Sequence, residues 1–137
     1  MTNKAANIGC KATNAVPAAT VVKGTAIGLG AQNMYWEETG AYTGEISAAM
    51  LLDAGCQYVI IGHSERRHVF GETTERLSAK VKSALEKSLP VIFCVGEQLA
   101  ERDAGDHESV VKEQCKSALQ GVSADQMALG RGHGRAP

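Results

Sequence analysis

Three short apolar runs stand out along the chain: residues 27–31 (IGLGA), 58–61 (YVII) and 91–95 (VIFCV). The last two are rich in β-branched residues and show no polar alternation, the pattern of strands covered on both faces. The runs start at 27, 58 and 91, so they are 31 and 33 residues apart, the length of one strand-helix-strand step. That spacing predicts parallel strands joined by helices, and so an α/β fold.

Helical signals lie between the runs. Ser47 is placed as an N-cap, with Ile46 and Leu51 at staple positions and Gly55 as the stop. Thr73 or Thr74 can cap a second helix, whose apolar positions Leu77, Val81, Ala84 and Leu85 share one face, and Pro90 then starts the third strand. After the third run Val110, Val111, Cys115, Ala118 and Leu119 form another stripe, closed by Gly121. Residues 1–23 are rich in Ala, Thr and Asn with weak periodicity and read as a poorly structured segment. Residues 24–122 read as one α/β domain, and 123–137, ending LGRGHGRAP, as a disordered tail.

Composition narrows the function. A formal charge of -1 spread over 137 residues offers no surface built for nucleic acid or anionic lipid. No apolar run approaches the roughly 20 residues of a membrane span. The first residues lack the apolar core of a secretory signal, so a cytoplasmic protein is expected. Cys10, Cys56, Cys94 and Cys115 form no CxxC pair, which points to reduced thiols rather than a zinc site or disulfides.

In parallel α/β folds ligands meet the carboxyl ends of the strands. Each run ends in polar residues: Gln32 and Asn33, then His63, Ser64 and Glu65, then Glu97. His63 follows Gly62 directly and can open a short helix. There the positive end of the peptide dipoles disfavours a second proton on its ring, leaving a neutral imidazole with one N–H to donate.

The string YVIIGHSERRHVFGET over 58–73 resembles the triosephosphate isomerase family, as do AQNMYWEETGAYTGEIS over 31–47 and CVGEQLAERDAG over 94–105. Order and spacing agree across about residues 24–120. The resemblance implies a partial (β/α)8 TIM barrel of about three βα units, the family's third to fifth strands, where a whole barrel takes about 250 residues. It implies interconversion of dihydroxyacetone phosphate and glyceraldehyde 3-phosphate through an enediolate, a step of glycolysis and gluconeogenesis that needs no cofactor and no metal. By this resemblance His63 is the electrophile and Ser64 and Glu65 support it. The family is itself the standard worked case of a neutral imidazole polarising a carbonyl beside a glutamate base.

The family's base sits in a segment like AYEPVWAIGTG, and no such string follows Met127, so no general base is assigned in this chain. The lysine that partners Glu65 in the family has no clear counterpart either. The isolated polypeptide is therefore expected to be inactive. Loop 33–47 resembles the family's dimer loop, which implies a homodimer with Thr43, Glu45 and Arg66 at the interface. The alternative is a non-catalytic three-unit α/β domain acting in self-association or partner binding. A flavodoxin-like domain also fits the spacing, but no GxGxxG or GxxxxGK loop follows any run.

Overall fold

A computed structural model describes residues 7–10 and 14–129 of the chain. Four strands, β1 (Asn7–Cys10), β2 (Gly28–Ala31), β3 (Tyr58–Ile61) and β4 (Val91–Phe93), form one parallel sheet in the order β1-β2-β3-β4. Seven helices are described: α1 (Ala15–Val22), α2 (Ala48–Asp53), α3 (Ser64–His68), α4 (Thr74–Glu86), α5 (Leu99–Asp103), α6 (His107–Ala118) and α7 (Ala124–Leu129). This is a partial TIM barrel, each strand being followed by one or more helices.

The helices cover one face of the sheet. Leu29, Ala31, Val59 and Ile61 are buried with Leu77, Val81 and Ala84 in a single core, and α4 packs on both β3 and β4. The alternation of a strand explains the other face. Gly30 pairs with Tyr58 and Ile60 with Ile92, so these positions point away from the helices. Tyr58, Ile60 and Ile92 are only half-buried.

The local signals behave as their chemistry dictates. Ser47 Oγ accepts from Met50 N at 3.3 Å, and Thr73 Oγ1 accepts from Arg76 N at 3.4 Å, satisfying backbone donors that have no partner within the helix. Gly55 ends α2 at φ 90°, a conformation that costs a side-chain-bearing residue but not glycine.

Within the first 23 residues the structure has β1 and α1, and β1 adds a fourth strand beside the three that the apolar runs predict. Strand β1 has no periodicity to reveal it. It exists because Asn7 to Cys10 pair in register with Gly28 to Ala31, a contact some twenty residues away in sequence. At the other end α7 begins inside the expected tail. Its start is a reciprocal cap: Ser123 Oγ accepts from Gln126 N at 3.2 Å, and Ser123 N donates to Gln126 Oε1 at 2.9 Å. The remainder of the expected tail, from residue 130, lies outside the described residues.

Candidate functional site

The carboxyl ends of β2, β3 and β4 bring Asn33, His63 and Glu97 to one rim. His63 stands at the N-cap of α3 with extended backbone (φ -52°, ψ 142°), and its side chain is 49% exposed. The histidine faces open space at the strand mouth rather than the core. Gly62 delivers it there at φ 84°. A Cβ at that position would lie 2.8 Å from the Cys94 carbonyl oxygen and 2.7 Å from the Arg67 guanidinium.

The ring's orientation follows from its own helix. Glu65 N donates to His63 Nδ1 at 3.3 Å, which requires Nδ1 to carry no proton and places the hydrogen on Nε2. Glu65 Oε2 is also 3.8 Å from Nδ1, a contact that would favour the protonated ring. The backbone bond decides. At 3.8 Å the carboxylate is beyond hydrogen-bond reach, and its side chain is 74% exposed, where water screens the charge.

Two clefts flank the ring. One of about 680 Å³ lies between the loop after β2 and helix α3, and Glu45, His63, Glu65 and Arg66 line it. The other, about 280 Å³, opens between the ends of β3 and β4, with Ser64, Cys94 and Glu97 on its walls. Of the residues expected at the site, four therefore share the first cleft and Ser64 faces the second. Thr43 lines neither and is exposed. Among the described residues, no lysine or arginine forms an ion pair with Glu65.

Behind the rim lie polar residues that the sequence pattern did not mark. Arg67 Nε donates to the Gly62 carbonyl at 2.7 Å and its terminal nitrogen to the Cys94 carbonyl at 2.9 Å, tying the ends of β3 and β4 together beneath His63. Burial lowers the Arg67 pKa and raises that of the neighbouring Cys94 thiol. Lys80, only 3% exposed, donates to Asn33 Oδ1 at 2.7 Å and to the carboxylate of Glu72, which also accepts from Arg66 Nε at 2.7 Å. This buried network joins the loop after β2 to the helix that carries His63. A signal for it was present. Lys80 sits three residues after Leu77 and one before Val81, on the stripe that α4 buries.

Cys56 is buried and Cys94 and Cys115 are half-buried, and none of these three is in a disulfide. Among the described residues no helix is long and apolar enough to cross a membrane.

A family model described as Triosephosphate isomerase matches residues 3–129. Curated proteins named Triosephosphate isomerase are similar to the chain. That of Dictyoglomus thermophilum is 48% identical over 132 residues, covering 88% of this chain and 53% of the relative. That of Alkaliphilus oremlandii is 56% identical over 104 residues (76% and 42%), and that of Thermoanaerobacter pseudethanolicus 57% over 107 residues (78% and 43%). The chain spans about half the length of the curated relatives it matches.

Proposed function

Because the chain belongs to the triosephosphate isomerase family, we propose that it carries the electrophilic half of a triose phosphate isomerisation site, with His63 as its catalytic residue. In the interconversion of dihydroxyacetone phosphate and glyceraldehyde 3-phosphate a proton leaves one carbon and returns to its neighbour. Negative charge builds on the carbonyl oxygen in between. A neutral imidazole meets that oxygen with Nε2–H, at no cost of transferring a full charge first. The observation that supports this reading is the bond from Glu65 N to His63 Nδ1, which assigns the ring hydrogen to the opposite nitrogen of a side chain that is 49% exposed.

Ser64 and Glu65 support the ring, Glu65 through its backbone N–H and its place in the first turn of α3. The 137 residues supply no counterpart of the family's glutamate base, so this polypeptide alone does not turn over triose phosphate at a measurable rate. On the pattern of the family's homodimer, Thr43, exposed here, reaches toward the neighbouring subunit's active site and Glu45 pairs with that subunit's equivalent of Arg66. A place in glycolysis and gluconeogenesis in the cytoplasm follows from the same reading.

The test is complementation. The chain is mixed with the remaining part of the Dictyoglomus thermophilum relative and assayed with glyceraldehyde 3-phosphate. Restored turnover that falls about 100- to 1,000-fold with His63→Gln is expected. Turnover that is indifferent to His63 would remove the proposal.

A further inference from the structure

We infer that Arg67 is the positioning residue of His63: its guanidinium takes the place of the rung between β3 and β4 that the chain gives up so that the histidine can leave the sheet. The inference rests on the catalytic reading above, and every group in it belongs to β3, α3, β4 or the turns that leave the two strands.

The ladder shows which rung is replaced. Val59 N donates to Pro90 O at 3.0 Å, and Cys94 N donates to Ile61 O at 2.8 Å. In a parallel pair the donors recur at every second residue of a strand, so a continued β3 would set His63 N against Cys94 O. That bond would hold His63 in the strand. Gly62, at φ 84°, turns the chain away instead. Arg67 Nη2 donates to Cys94 O at 2.9 Å and so supplies the acceptor with the partner that the turn removes.

The same residue holds the backbone on both sides of the histidine. Arg67 Nε donates to Gly62 O at 2.7 Å, which fixes the peptide before His63. Arg67 N donates to His63 O at 3.1 Å, which fixes the peptide after it. Each peptide is a rigid plane, so holding both sets the φ of -52° and ψ of 142° between them. The direction in which the His63 side chain leaves the rim follows. The bond from Glu65 N then fixes the ring about that direction.

Gly62 and Phe93 make the room. A Cβ at Gly62 would lie 2.7 Å from Arg67 Nη2 and 3.2 Å from the Phe93 ring. The guanidinium carbon stands 5.4 Å from the centre of that ring, a contact that helps to keep the fork in place. Lysine offers a single ammonium and no planar fork to meet two carbonyls side by side. The adjacent Arg66 pairs with Glu72 instead, so the two arginines have separate tasks.

The experiment has a kinetic and a spectroscopic arm. In the complementation mixture Arg67→Lys is expected to lower kcat about 100-fold, the cost of misplacing a reacting group by about 1 Å, with KM little changed because the fork is engaged with protein carbonyls. In the 137-residue chain the Arg67 Nε–H is expected as a slowly exchanging proton signal coupled to the Gly62 carbonyl carbon. Arg67→Lys is expected to replace the single Nε2–H form of the His63 ring by an average of both forms. A wild-type kcat in Arg67→Lys overturns the inference, as does a loss confined to KM or an unaltered His63 ring. Fast exchange of the Arg67 Nε–H in the wild type also overturns it, and that measurement needs no variant to fold. Turnover indifferent to His63→Gln removes the catalytic reading and this inference with it, whereas turnover that needs His63 but tolerates Arg67→Lys removes this inference alone.

Discussion

Lys80 Nζ lies 2.7 Å from Asn33 Oδ1, joining two residues 47 positions apart. The lysine is on α4 and the asparagine follows β2, and between them the Glu72 carboxylate accepts from Lys80 and from Arg66 of α3. A cation in this place is held only by its partners, because burial disfavours charge. Its consequence for stability is direct.

Lys80→Met leaves the Glu72 carboxylate, 6% exposed, with one cation instead of two. Removing one member of a buried pair costs on the order of 3 kcal/mol here, the low end of the usual range because Arg66 remains. Urea unfolding of Lys80→Met, Glu72→Gln and the double variant measures it. The double variant should be less destabilised than the sum of the singles.

The same lysine sets a pH dependence. Desolvation by burial lowers its pKa from the ordinary 10.5, against the opposing pull of Glu72. Between the lowered value and 10.5 the unfolded chain binds a proton that the folded chain does not. Stability of the wild type relative to Lys80→Met therefore rises as pH increases through that window. Unfolding curves for both proteins on the alkaline side of neutrality test the sign, and a falling difference would contradict it.

Gly62→Ala should cost about 2 kcal/mol, since alanine is strained at φ 84° and its methyl would press on the Cys94 carbonyl. The carbonyl belongs to backbone and cannot rotate aside. Chemical denaturation gives the loss, and a change in the His63 ring resonances would show that the strain reaches the rim.

The ring nitrogens of His63 are open to measurement in the isolated chain. Nitrogen-15 spectra should show the form with hydrogen on Nε2, the partner of the bond from Glu65 N. A ring with hydrogen on Nδ1 would remove the donor that the proposed chemistry uses.

Ser47→Ala removes the N-cap acceptor of α2, a side chain 6% exposed, and should destabilise by about 1 kcal/mol in thermal or urea unfolding. Ser47→Asp, which restores an acceptor, should recover much of that loss.

Much of the site was legible because its signals are local. An apolar run followed by Gly62 and His63 marks a strand end, and Ser64 with Glu65 marks the helix start that orients the ring. The supporting network was not, because Lys80, Glu72 and Arg67 are charged residues that ordinarily lie in solvent. Lys80 shows its place only by its position on the buried stripe of α4. Arg67 shows none until the ends of β3 and β4 are seen side by side.

The sequence by itself determined the alternation of strand and helix, the caps at Ser47 and Thr73, and the placing of His63 at a strand mouth, since each depends on residues within one turn or one run. Tertiary structure alone decided that Asn7–Cys10 is a strand and that Lys80 is buried. Those outcomes depend on which distant segments come into register. A strand of four residues has too few local contacts to stabilise itself and takes its form from its neighbour. A buried cation is tolerated only where folding has first assembled its partners.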